Sequence, residues 1–237
     1  MGRDRKLIYV NANAQTHEIY YTGIEFYEFV KYLSVPIHNL LLLKAHYIGN
    51  NFDKNFELVE GQEQIELLTQ EDVHGYGDFC FVDYAHADNM SKLTDAQIAE
   101  LLYLAHMKQP LRTPFFDSLN NNFVYLAHDD GWCCKLYCRN MQNFSNVLTG
   151  KIKNAISKLS LQNMDSSTKK GLMNIAENGM LIDFDDVVFA QTHAVIDIFS
   201  IGKFTDMDII CNQSKALKSK ALHHNQLKCN GKEWTLV

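Results

Sequence analysis

A chain of 237 residues with 46% hydrophobic and 21% charged residues buries about 70% of its unfolded surface on folding and needs no disulfide or metal staple. A net charge of −6 argues against general nucleic-acid binding, and three prolines without a Gly/Ser-rich tract argue against a flexible multidomain string. No apolar run approaches the roughly 18 residues of a membrane span, and Leu7 to Val10 is too short for a signal-peptide core, so the expectation is a cytoplasmic protein with free thiols and no membrane contact.

In chain order, Leu7 to Val10 reads as a first strand. Thr22-Gly-Ile-Glu25 has capping-box spacing and predicts a helix with Phe26, Tyr27, Val30 and Leu33 near one face, ending before Pro36. Asn39 to Ile48 is a continuous apolar run suited to a central buried strand. A short helix is predicted over Gln62 to Leu68, and a strand over Asp78 to Tyr84. Thr94-Asp-Ala-Gln97 is a second capping box, opening a helix that stops at or before Gln109.

After residue 140, Phe144, Val147, Leu148, Ile152, Ala155, Ile156 and Leu159 recur at helical spacing. Asp165 caps the next helix and Gly179 ends it, with Leu172, Ile175 and Ala176 as its buried stripe. Met180 to Phe204 is apolar with scattered aspartates and fits either element type. Gln213 to His224 reads as a polar helix, and Asn230-Gly231 as the turn of a closing hairpin.

The densest chemistry lies in Phe123 to Arg139, FVYLAHDDGWCCKLYCR. An Asp130-Gly131 turn places His128 opposite Cys133, Leu126 opposite Lys135 and Val124 opposite Tyr137. Side chains alternate between faces. One face collects Phe123, Tyr125, Ala127, Trp132, Cys134, Leu136 and Cys138, and is apolar. The other collects Val124, Leu126, His128, Cys133, Lys135, Tyr137 and Arg139, and is amphipathic enough to line a cleft.

Three functions fit this hairpin. His128 beside Cys133 is a candidate for thiol activation, set against the usual burial of free cysteine. His128, Asp130 and Cys133, with His86 or Asp88, offer mixed metal ligands, set against ordinary turn chemistry and the lack of a zinc spacing. His128, Asp130, Trp132, Tyr137 and Arg139 have the composition of an interface hot spot. This last reading is adopted, with no metal ligand and no cofactor assigned.

Elsewhere, Asp183, Asp185, Asp186, His193 and Asp197 form a candidate carboxylate–histidine metal cluster. Lys215, Lys218, Lys220, His223, His224 and Lys228 form a weak basic patch, without the aromatic interleaving or motif of a nucleic-acid surface. Charge is uneven. Residues 1–140 carry 11 Lys and Arg against 19 Asp and Glu, net −8; residues 141–237 carry 11 against 9, net +2.

AQIAELLYLAHMKQPLRTPFF (96–116), followed by NNFVYLAHDDGW (121–132), resembles a family of uncharacterised bacterial cytosolic proteins without established activity. The resemblance covers about residues 1–140. It implies a bacterial cytosolic origin and carries over no functional residue.

The expected fold is α+β: a mixed, largely antiparallel sheet with β-hairpins, packed by several amphipathic helices. The whole chain is expected to form one compact unit, with an acidic sub-lobe at 1–140 and a helical sub-lobe at 141–237 ending in a hairpin. The expected function is non-catalytic binding or regulation through a protein partner or small ligand, in whatever oligomeric state. The alternative is a metal-assisted hydrolase built on the His/Asp clusters, with phosphoesters as its candidate substrates.

Overall fold

A computed structural model describes residues 7–13, 18–48, 51–71, 76–104, 114–128, 133–157, 159, 163–190, 192–204 and 207–237. The fold is α+β, with twelve strands and six α-helices among the described residues. In chain order the first half contains β1 (Leu7–Asn13), β2 (Glu18–Thr22), α1 (Phe26–Tyr32), β3 (Asn39–Ile48), β4 (Asn51–Glu60), α2 (Gln62–Leu68), β5 (Phe79–Asp83), α3 (Asp95–Leu104), β6 (Phe123–His128) and β7 (Cys133–Cys138). There follow α4 (Met141–Ala155), α5 (Ser166–Ala176), β8 (Met180–Asp183), β9 (Val188–Phe189), β10 (Ala194–Ser200), α6 (Met207–Ser219), β11 (His223–Cys229) and β12 (Trp234–Leu236). No helix among the described residues is long and apolar enough to cross a membrane.

Contacts divide the chain into two compact units, Met1–Ile24 with Met141–Val237, and Glu25–Asn140. In the second, antiparallel pairs β4–β3, β3–β5, β5–β6 and β6–β7 build the sheet. Leu40 to Leu43, Phe79 to Val82, Phe123 to Ala127 and Cys134 to Cys138 are buried without a break, so these strands are covered on both faces. Two-sided burial is why they read as continuous apolar runs rather than alternating ones. On one face α1 inserts Phe26, whose ring lies 4.3 Å from Phe81 and 5.2 Å from Tyr125, and Phe29, 4.9 Å from Phe123. Such ring pairs stabilise beyond the area they bury.

α1 does not start where Thr22 predicts. Thr22 closes β2, and the cap falls on Glu25, paired with Glu28 in a reciprocal capping box. The register of β1 against β2, with Tyr9 opposite Thr22, claims that residue for the sheet. The second box holds: Thr94 Oγ1 accepts from the Gln97 N–H at 3.3 Å, and the Gln97 side chain accepts from the Thr94 N–H at 2.9 Å. The predicted end of that helix, up to Gln109, lies outside the described residues.

In the other unit the order is β12–β11–β10–β8–β1–β2, all antiparallel, with β9 also on β10. One face, carrying Ile8, Val10, Met180, Ile182, Ile196, Ile198 and Leu227, is buried. α5 packs on β1 and β12, and α4 packs on α5 and β2. Asp165 caps α5, accepting from the Thr168 N–H at 2.9 Å; its carboxyl is held well below the usual carboxylate range by hydrogen bonds from Ser167 and Thr168. Leu172 and Ala176 are buried as expected, whereas Ile175 is only half-buried.

Gly179 ends the segment after α5 with φ of 74°, a conformation that favours glycine. A Cβ there would collide with the Gly202 carbonyl. Tyr9 ties the same corner, donating to Gly202 O at 2.9 Å and accepting from the Phe204 N–H at 2.7 Å.

The ambiguous stretch 180–204 resolves into β8, a 3-10 turn at Phe184–Asp186, β9 and β10. The polar helix ends at Ser219, so His223 and His224 belong to a strand and not to the predicted helix. The closing hairpin also turns one residue later than the Asn-Gly signal predicts. Asn230 and Glu233 form the last bonded pair, and Asn230 Oδ1 accepts the Lys232 and Glu233 N–H groups at 3.0 and 2.7 Å. Gly231, at φ of 83°, therefore leads the turn.

Candidate functional surface

The β6–β7 register is the one the turn predicts: His128 opposite Cys133, Leu126 opposite Lys135, Val124 opposite Tyr137. Asp130 and Trp132, and the side chains of His128 and Cys133, lie outside the described residues. The described part of the amphipathic face is not an open cleft. Lys135 is 5% exposed and Tyr137 7%. Arg139 is half-buried, its guanidinium 4.4 Å from the centre of the Phe115 ring, and its N–H donates to Asn122 O at 2.8 Å. A guanidinium over an aromatic face gains from the ring quadrupole, so this arginine is engaged within its own unit.

Cys80, Cys134, Cys138 and Cys229 are free and buried. Burial raises the Cys80 thiol, with Lys135 opposing, and pushes Cys138 up to about 12. A nucleophilic cysteine needs the opposite environment, electropositive and partly exposed.

A carboxylate without a motif does the connecting work beside this hairpin. Asp83, at the end of β5, accepts the Asn122 and Phe123 N–H groups, each at 2.8 Å, and the Asn122 side-chain amide at 3.0 Å. Burial raises its carboxyl to about 6, against the lowering effect of those bonds. The only sequence signal for it is an acidic residue closing an apolar strand.

The carboxylate–histidine cluster of 183–197 separates in space into two polar groups. Lys218 of α6 bonds Asp183 at 2.8 Å and Asp186 at 2.5 Å. Partial burial alone would lower the lysine's pKa, but the two carboxylates raise it on balance. The ammonium thus sits where a metal between these aspartates would sit. Asp185 donates its N–H to Asp183 Oδ1 at 3.1 Å, and His193 bonds its neighbour Thr192 at 2.7 Å. His86 and Asp88 are exposed at the start of the 3-10 turn Ala87–Lys92. No group of three or more His, Cys, Asp or Glu among the described residues is placed to hold a metal ion. The basic patch divides too: Lys218 turns to the aspartates, and His223 and His224 point to opposite faces of β11.

Asp197 belongs to a different arrangement, on the outer face of β10 and β11. β10 buries alternate residues, leaving Val195, Asp197 and Phe199 half-buried on this face. The His224 ring stacks on Phe199, centroids 4.7 Å apart and planes 7° apart, and its Nε2 lies 2.9 Å from Asp197 Oδ1. Gln226 Nε2 donates to the same oxygen at 3.1 Å. The register explains the cluster, because Phe199 is directly opposite His224 and Asp197 opposite Gln226.

The same face continues to Val188, opposite Val195 and 61% exposed, and to Val237, bonded across from Gln226 and 55% exposed. An exposed imidazole stacked and hydrogen-bonded in place, with carboxylate, amide and valines around it, can donate, accept and cover apolar surface. The sequence placed Asp197 in a metal cluster and His224 in a basic patch. Only the strand register joins them.

No family model matches the chain, and neither a curated protein nor a solved structure matches it significantly.

Proposed function

We propose that this is a non-catalytic binding or regulatory protein of the cytoplasm, acting through contact with a protein partner or small ligand. The observation that supports it is the partly open sheet face of β9 to β12, where the Phe199–His224 stack and the Asp197 carboxylate lie among exposed valines. Half-buried aromatics with oriented polar groups and an apolar surround are the usual make-up of a contact surface. The lysine between Asp183 and Asp186 favours binding over a metal-assisted hydrolase built on those aspartates.

The test is a binding comparison with folding controlled by circular dichroism. His224→Ala and Val188→Asp are expected to abolish recovery of partners bound by the wild type, while Lys215→Ala leaves it intact. Arg139→Ala tests the hairpin contact: loss on that substitution with retention in His224→Ala would move the surface to β6–β7. Phosphoester turnover with added Mg²⁺, Mn²⁺ or Zn²⁺ would overturn the proposal in favour of a hydrolase.

A further inference from the structure

We propose that the C-terminal hairpin carries a spontaneous modification site: Asn230 deamidates through a succinimide, while the fold protects the other Asn-Gly pair, Asn178-Gly179. In this reaction the backbone nitrogen after the asparagine attacks the side-chain Cγ. An N–Cγ bond forms, the Cγ–NH₂ bond breaks, and ammonia leaves with the proton given up by the backbone amide. Water then opens the ring at either carbonyl, giving aspartate or isoaspartate. Nothing is oxidised or reduced. Glycine is the most permissive following residue because it has no side chain to screen its nitrogen.

The two sites share a dipeptide, an exposed asparagine and a glycine at positive φ, and differ in how the glycine and its neighbours are hydrogen-bonded. At the hairpin, Asn230 is exposed. The turn's hydrogen bonds run through Asn230, Lys232 and Glu233 and leave the Gly231 N–H without an acceptor among the described residues. Asn230 Oδ1, the atom on which negative charge develops during attack, already receives two backbone N–H groups, at 3.0 and 2.7 Å. Backbone donors aimed at a developing oxyanion lower the barrier to its formation.

At the other site, Gly179 is buried and its N–H donates to Ala176 O at 3.1 Å. The backbone around it is pinned further: Gly202 N–H donates to Asn178 O at 3.0 Å, and Ile201 N–H to Gly179 O at 2.9 Å. Ring closure there must break these bonds. Conversion at Asn230 has a structural consequence, because isoaspartate adds a backbone carbon beside the Cys229–Trp234 pair, and Trp234 is only 6% exposed.

The full-length protein is incubated in mildly alkaline buffer, native and in urea, and both sites are followed by tryptic peptide mass spectrometry; cleavage after Lys228 and Lys232 isolates Asn230. In the native protein Asn230 is expected to convert at least about tenfold faster than Asn178, and in urea the two rates are expected to agree within about twofold. Equal native rates, or conversion of Asn230 in urea but not in the native protein, would overturn the proposal. Asn230→Gln, which needs a larger ring, is expected to remove the fast native phase; ammonia release that persists unchanged in that variant would equally overturn it.

Discussion

In residues 25–140 the segments Leu40–Leu43, Phe79–Val82, Phe123–Ala127 and Cys134–Cys138 are buried on both faces, whereas in the other unit β10 buries alternate residues and leaves Val195, Asp197 and Phe199 partly open. The contrast separates two fates for polar side chains. In the doubly covered sheet, polar and ionisable groups become structural. Lys135 and Tyr137 are buried, Cys80 and Cys138 have raised thiols, and Asp83 holds the chain entering β6. In the singly covered part, similar groups stay accessible, and His224 with Asp197 is the result. The described residues of the amphipathic hairpin face, Lys135 and Tyr137, therefore belong to the first kind.

Four substitutions test this contrast, from the largest expected effect to the smallest. Phe81→Ala removes a ring in contact with Phe26, Phe79 and Tyr125 and is expected to cost about 3–5 kcal/mol in denaturant unfolding. A loss below about 1 kcal/mol would mean that the aromatic layer does not hold this sheet.

Asp83 gives a pH signature. Its carboxyl titrates at about 6 in the fold against an ordinary 3.8, so the fold favours the protonated form. The stability this confers is fully present below about pH 4 and is lost as pH rises through about 6, a swing of at most about 3 kcal/mol. Asp83→Asn, which cannot titrate, is expected to flatten the difference curve across that window. A wild type that instead gains stability relative to the variant as pH rises would show that the hydrogen bonds from Asn122 and Phe123 outweigh burial.

Lys218→Met leaves Asp183 half-buried without its cation and is expected to cost about 1–3 kcal/mol. Added Mg²⁺ or Ca²⁺ is expected to leave the melting temperature of the wild type unchanged. A clear rise would restore the metal reading of the aspartates. His224→Ala is expected to change stability by less than about 1 kcal/mol, with its effect confined to binding; a larger loss would make the Phe199 stack a structural element like those of the other unit.

Much of the fold was legible along the chain. Asn39–Ile48 and Gln62–Leu68 begin and end where the sequence predicts, and the β6–β7 register follows from its turn. These elements have long apolar runs or strong local signals, and local physics decides them. β4 and β2 went unread because Lys54 and Val59 break the alternation of Phe52, Phe56 and Leu58, β2 is only five residues long, and pairing with β3 and β1 supplies the missing order. Residues 180–190 stayed ambiguous because strands of four and two residues are shorter than any periodicity can show, and in β10 the apolar residues Val195 and Phe199 on the open face mask the alternation.

The candidate surface was not legible at all. Asp197 and His224 are 27 residues apart and meet only because β10 and β11 pair in one register.

The sequence by itself determined an α+β chain with apolar strands, capped helices and hairpins, since capping, alternation and turn preference act over a few residues. Tertiary structure alone decided which polar groups remain accessible. Whether a strand is covered on one face or two depends on helices and strands far away in the chain. That difference makes Tyr137 a core residue and leaves His224 on an open face.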